Sequence, residues 1–349
     1  MRRSLTLAIC ALLIAVTGAA QTKRMAVVET STCYMRIAPD YESALETQEL
    51  MGTVVEIVGE SGYWREIVSP QPYRAWTTEK TLVEMSEKEI QEYEEAPKYM
   101  FTEPYGHIYS EPSEKMQTIC DLVGGDVMRM ELNGNKAVTK GKWAQVVLPS
   151  GVKGWVLKNQ VKVLGERINI RKGDSAEGLI SDEKMEAIIA SAQELLGVPY
   201  LWGGMSSKGV DCSGLVRISA ILNDVLLPRN ASQMIFCGTP VEMNCNPIFW
   251  NEEYRTAGDD IYTMEFIEEM NGRVKNLKRG DLVFFGTPAT DEKPMRVTHV
   301  GIYLGNNRII HSSHKVRINS LIPGEKDYYE NAHRLLNARR FIGQGPDTL

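Results

Sequence analysis

The run Pro199-Tyr200-Leu201-Trp202-Gly203-Gly204, followed by Val210-Asp211-Cys212-Ser213-Gly214, decides how this chain reads. A glycine-rich loop leads directly into a segment whose apolar residues, Leu215, Val216, Ile218 and Leu222, recur at helical spacing and stop before Pro228. Cys212 therefore falls in the first turn of a predicted helix, where unpaired N–H groups and a partial positive charge favour a thiolate. Asp211, just ahead of it, suits the helix N-cap. Downstream, Thr298-His299-Val300-Gly301 and Arg308-Ile309-Ile310-His311-Ser312-Ser313 carry two histidines on consecutive strand-like runs. A cysteine, a distant histidine and a third orienting group are the parts of a nucleophilic acyl-transfer site.

The pairing of those strands can be tested on paper. With Gly305-Asn306-Asn307 as a three-residue loop, Gly301 faces His311, and alternation puts His299 on the same face one diagonal step away. A two-residue loop would break the agreement. Granted it, His299 takes the Cys212 proton and His311 holds the other ring nitrogen. Ahead of the loop, Ser181-Asp182-Glu183 opens another predicted helix, with Met185, Ile188, Ile189, Ala192, Leu195 and Leu196 on one face and Gly197 closing it. Behind the cysteine helix, 281–285, 297–304, 308–312 and 339–342 read as strands. Helices followed by antiparallel strands make an α+β domain over 181–349.

The N-terminal half reads differently. Arg2-Arg3 and an apolar run from Leu5 to Val16, ending in small residues, predict a signal peptide over 1–20 and an exported, periplasmic or extracellular protein. The run is too short for a stable membrane span. Five cysteines then remain (Cys33, Cys120, Cys212, Cys237 and Cys245), so at least one is unpaired in a monomer; Cys237 and Cys245 either pair or are two buried thiols. A net charge of −6 without a basic stripe argues against nucleic acid, and no spacing suggests a metal or another cofactor. Between them lies a repeat. Gly62-Tyr63-Trp64 leads to Trp76 at the same interval as Gly141-Lys142-Trp143 leads to Trp155, among short β-branched runs and turn residues. Two small all-β barrels, 21–95 and 96–164, and a connector, 165–180, follow from this, with Trp64 and Trp143 in the barrel cores.

Met35-Arg36-Ile37-Ala38-Pro39 and the tryptophan elements resemble bacterial SH3-like domains. Pro199-Tyr200-x-Trp202-Gly203-Gly204, Asp211-Cys212-Ser213-Gly214, Arg279-Gly280-Asp281-Leu282-Val283-Phe284-Phe285 and His299-Val300-Gly301-Ile302-Tyr303 resemble the NlpC family of papain-like cell-wall peptidases. The resemblance implies a papain-like catalytic domain with Cys212 as nucleophile, His299 as base, His311 as third polar residue and Tyr200 beside the oxyanion. It implies cleavage of the γ-D-glutamyl bond to a diamino acid in peptidoglycan stem peptides or released muropeptides. Paired SH3-like domains resemble a subgroup that takes peptides with a free N-terminal L-alanine. Asp211 would then bind the ammonium, Ser213, Ser232 and Trp202 would line the pocket, and Glu79 and Tyr105 would be the contribution of the first barrel. The acidic segment 237–275 reads as a solvated insertion. A wall-binding protein with an inert third domain, or an amidase or acyltransferase, remain the alternative classes.

Overall fold

Residues 23–70, 72–174, 180–258 and 261–341 are described by the computed structural model; the signal peptide expected at 1–20 and residues 175–179 of the connector lie outside them. Seven strands form the first sheet: β1 (Arg24–Val28), β2 (Thr32–Arg36), β3 (Leu45–Leu50), β4 (Val54–Ser61), β5 (Trp64–Val68), β6 (Arg74–Thr78) and β7 (Leu82–Met85), in the order β3-β2-β6-β5-β4-β1-β7. A capped helix, α1 (Glu87–Glu95), leads to β8 (Lys98–Phe101), β9 (Tyr105–Tyr109), β10 (Thr118–Val123), β11 (Val127–Met130), β12 (Trp143–Val147), β13 (Lys153–Leu157) and β14 (Val161–Val163). Their order, β10-β9-β13-β12-β11-β8-β14, retraces the first sheet strand for strand. The matched tryptophan interval is the register of one repeated hairpin: Glu66 faces Trp76 and Gln145 faces Trp155. Trp64 and Trp143 are buried.

The third unit starts with α2 (Asp182–Glu194), whose N-cap Ser181 accepts the Lys184 N–H at 3.2 Å. Met185, Ile188, Ile189 and Ala192 are buried as expected, but Leu196 is 47% exposed because the helix ends at Glu194. Beside it α3 (Cys212–Ile221) is buried along its whole length, apolar on nearly every side, as a central helix must be. Both pack on a sheet of β15 (Leu282–Thr287), β16 (Arg296–Gly305), β17 (Arg308–Ser313), β18 (Lys315–Ser320) and β19 (Leu335–Arg340), ordered β19-β15-β16-β17-β18, with Thr239–Pro240 as a short sixth strand beside β19. The last strand begins at Leu335, ahead of the expected 339–342, because Leu335 and Ala338 are the residues that enter the core. Strand β18 was not foreseen.

The β16–β17 turn differs from expectation, yet the register holds. Asn306 and Asn307 both have positive φ, 51° and 60°, and form a two-residue turn. An extra residue at Leu304 then slips the ladder, so Ile302 faces Ile310 and Tyr303 faces Ile309. Further along, a Cβ on Gly301 would lie 3.2 Å from His311 Cβ, which fixes the cross-strand placement.

Two further expectations are corrected. Residues 237–275 are not a solvated insertion: Phe249, Phe266, Met270 and Val274 are buried in one apolar cluster with Val283, Phe285, Tyr303 and Tyr329. Several large apolar side chains are too costly to leave in water when a sheet face needs cover. Nor is the connector free. Ile168-Asn169 pairs in parallel with Val225-Leu226, and Ile170 is fully buried. Cys237 and Cys245 are separate thiols, donating to the carbonyls of Arg171 and Leu335. No helix among the described residues is long and apolar enough to cross a membrane.

Strand β3 docks the first sheet onto the third unit. Gln48 Oε1 accepts the Met205 N–H at 2.8 Å, and Arg229 Nε donates to Thr47 Oγ1 at 2.9 Å, both buried. Gly203 (φ +73°) lies so near that a Cβ there would meet Glu46 O at 2.9 Å. The Trp202-Gly203-Gly204 motif is thus the seam between two domains.

Candidate active site

Cys212 opens α3 because the chain before it is tightly constrained. Asp211 caps the helix, accepting the Gly214 N–H at 2.6 Å, and a Cβ on Gly214 would strike Gly204 O at 2.0 Å. The loop therefore lies against the first helical turn and presents the thiol to a cavity of about 320 Å³. The backbone N–H groups of Val300 and Ser213 face the sulfur, so the Cys212 thiol sits against the strand that carries His299.

The imidazoles form a directed chain. Asn319 Nδ2 donates to the Asp327 carbonyl at 2.7 Å, which turns Asn319 Oδ1 toward His311 Nε2, 2.9 Å away. A carbonyl oxygen can only accept, so His311 carries its proton on Nε2 and offers Nδ1 as acceptor. That nitrogen lies 2.7 Å from His299 Nε2, which must then be the protonated nitrogen of a neutral ring. His299 is left with an unprotonated Nδ1, the form a base requires. Tyr329 packs on both rings, at 5.6 Å and 4.6 Å between centroids, and Phe285 on His299 at 5.7 Å.

These surroundings set the charges. Burial, then the neighbouring His311, pushes the His299 pKa well below its usual 6.5, and burial lowers His311 to about 4. Burial and then the Asp211 carboxylate raise the Cys212 thiol to about 12, which outweighs the helix terminus and the two N–H groups. Burial thus opposes the Cys212 thiolate that helix position alone favours, and opposes a charged His299. Burial raises Tyr200 to about 12, so its phenol keeps the proton it would donate.

Tyr200, Trp202, Asp211, Cys212, Ser213 and Ser232 all line the cavity. The Asp211 carboxylate, however, already holds Arg229 in a two-point ion pair at 2.6 and 3.1 Å, with the Gly203 N–H and Ser213 Oγ as further donors. Its charge is spent before any ammonium arrives. Glu79 and Tyr105 are not at the cavity. Glu79 accepts from Arg65 Nη2 at 2.8 Å, and Tyr105, on the second sheet, touches His107 at 3.1 Å. The acid and tyrosine that the first sheet does contribute are Glu46, within β3, and Tyr73, just ahead of β6. Glu46 makes no ion pair among the described residues. Arg296 completes the rim. Sequence reasoning also missed Arg229 and Asn319, for which no local motif gave a signal.

Residues 197–334 match the NlpC/P60 family. The gamma-D-glutamyl-L-lysine dipeptidyl-peptidase of Bacillus cereus (strain ATCC 10987 / NRS 248) is 27% identical over 84% of this chain and 75% of its own. Dipeptidyl-peptidase 6 of Lysinibacillus sphaericus is 24% identical over 81% and 86%. A crystal structure of an NlpC/P60 family protein from Bacillus cereus ATCC 10987 superposes with a TM-score of 0.64 at 22% identity, covering 91% of this chain and 99% of that one.

Proposed function

Because residues 197–334 match the NlpC/P60 family, we propose that the chain hydrolyses the γ-D-glutamyl–diamino acid bond of peptidoglycan stem peptides, with a preference for short peptides bearing a free N-terminal L-alanine. The observation that carries this reading is the chain Asp327 carbonyl–Asn319–His311–His299, which fixes one tautomer on the strand beside Cys212.

The reaction starts from a thiol and a neutral imidazole. As Cys212 Sγ attacks the γ-carbonyl of D-glutamate, its proton passes to His299 Nδ1, and His311 accepts a strengthened hydrogen bond from the imidazolium. The Tyr200 hydroxyl and the Cys212 backbone N–H meet the developing oxyanion. The tetrahedral species expels the amine of the diamino acid, which takes the proton from His299, and a thioester remains. His299 then removes a proton from water, which attacks the thioester and frees the dipeptide and the thiol. Transfer within a closed site suits a thiol held at about 12, since the ion pair need exist only along the reaction path.

The amine preference rests on Glu46 and Tyr73 in place of Asp211. Glu46 offers a carboxylate to an ammonium, and an acetylated amine would leave that charge without a partner. Arg229 and Asp211 form the rigid floor beneath it, while Arg296 at the rim suits a substrate carboxylate. Two SH3-like domains, over 21–95 and 96–164, and export through the leader at 1–20 complete the proposal.

Mass spectrometry of the mature protein with L-Ala-γ-D-Glu-diaminopimelate and its N-acetylated form, against Cys212→Ala, tests it. Diaminopimelate released only from the free-amine peptide, and only by the wild type, is the expected result. Cleavage of both peptides removes the amine pocket. Cys212-independent cleavage, or none, removes the peptidase reading.

A further inference from the structure

A second cavity, of about 400 Å³, lies where the two β-sheets, the connector and α3 meet. It is within the roughly 300–1,000 Å³ of small-molecule sites, and it shares no lining residue with the Cys212 cavity. Each unit supplies part of it: Leu50 from β3, Lys98 from β8, Val127 beginning β11, Arg167 from the connector, and Arg217 and Ile221 from α3.

Its charges do not balance. Three cations line it, against Glu49 and the exposed Glu94 at the mouth. Glu49 stands 3.9 Å from Arg217, too far for a hydrogen bond, and Arg217 Nη1 has only the Met205 sulfur at 3.0 Å. The Arg217 side chain is 6% exposed, and its Nε is buried with no acceptor. Arg167 repeats the pattern: Nη2 meets the Met100 sulfur at 3.7 Å, and Nε is buried and unpaired. Lys98 Nζ is bound by two backbone carbonyls, Glu94 O and Ala96 O, neither of which carries charge. A guanidinium buried at Arg217 and half-buried at Arg167, each facing a thioether, is costly unless an anion hydrogen-bonds to it. Burial accordingly lowers the pKa of all three cations.

We propose that this interdomain cavity binds an amphiphilic carboxylate, its head on Arg167 and Arg217 and its apolar body along Leu50, Val127 and Ile221. The carboxylate supplies acceptors to both orphaned guanidinium edges, and the apolar walls take a chain of several methylenes out of water. The site is independent of the peptidase reading, since none of its residues touches the cavity at Cys212.

Isothermal titration of the full chain with octanoate tests it, with acetate and octylamine as the probes lacking tail and negative charge. One saturable octanoate site is expected, with acetate and octylamine at least tenfold weaker. Arg167→Leu and the milder Arg167→Gln should each weaken octanoate at least tenfold while the melting temperature of the free protein stays near the wild-type value. Absent octanoate binding, equal binding of octylamine, acetate as tight as octanoate, or unchanged affinity in both variants would each overturn the proposal.

Discussion

The first and second β-sheets have one topology, strand for strand, and opposite relations to the active site. In the first, β3 runs into the seam with the third unit and buries Thr47, Gln48 and Glu49, while Glu46 and Tyr73 reach the cavity. In the second, the equivalent strand is β10, and its Asp121 reaches the same glycine loop only from outside, pairing with Lys208, while Pro104 O accepts from Ser207. A repeated sheet is thus a scaffold whose edge decides its use. Polar residues buried on an edge strand commit that edge to one partner, as Thr47 and Gln48 do through their hydrogen bonds across the seam. A part-exposed charge on the matching edge commits it to little.

The sharpest break in this comparison is Arg229→Met. Arg229 joins the two sides of the first seam, holding Asp211 and reaching Thr47, and it is 2% exposed. Removing it leaves the Asp211 carboxylate buried without a counter-charge, a loss of about 3–5 kcal/mol. Urea denaturation measures it; a loss under about 1 kcal/mol would mean that the seam is not held by this pair. Next in size, Glu46→Gln should lower kcat/KM for the free-amine peptide by on the order of 100-fold, about 2.7 kcal/mol, and leave the acetylated peptide unchanged. Glu79→Gln and Tyr105→Phe should leave both peptides unchanged. An equal loss on both peptides in Glu46→Gln would mean that the first sheet shapes the site without reading the amine.

Smaller again, and outside either sheet, is the relay. Asn319→Leu removes the acceptor that holds the His311 tautomer and should lower kcat about tenfold with little change in KM. Asn319→Asp keeps the acceptor and adds a charge that favours the imidazolium forms, so the acid limb of the kcat profile moves to higher pH. His299 and His311 are held neutral below their unfolded value of 6.5, so their contribution is full above pH 6.5 and declines as pH falls toward about 4. A melting temperature that rose on acidification through that window would contradict the buried neutral pair.

How much of this was legible depended on where the information lay. Cys212, His299 and His311 are local signals: a helix start after glycines, and alternation along two strands. The repeated sheet was legible because Trp64–Trp76 and Trp143–Trp155 encode one hairpin register. Glu46 and Tyr73 were not, because which strand edge meets which domain is set by docking, and nothing local separates Glu46 from Glu79. The segment 237–275 misled for a related reason. Its acidic residues suggested solvent, but Phe249, Phe266 and Met270 decide its place, and only the bare sheet face behind His299 explains why they turn inward. The burial that raises the Cys212 thiol was also beyond reach: a helix terminus is visible in sequence, whereas the burial that opposes it is not.

The smallest predicted effect tests the second sheet. Asp121 and Lys208 are each about one-third exposed, and Ser31 of the first sheet donates to the same carboxylate. Water and salt screen such a pair, so Asp121→Asn should cost well under 1 kcal/mol and leave KM for the free-amine peptide within twofold. The reason is geometric as well as electrostatic. Lys208 lies in the hairpin of Met205-Ser206 and Gly209-Val210, whose position is already fixed by the Gln48–Met205 bond on the first sheet and by Ser312 Oγ on the Val210 carbonyl. A third tether to a strand held from two other sides adds little. If Asp121→Asn instead raised KM several-fold, the hairpin would depend on the second sheet for its position, and the two repeats would share control of the cavity.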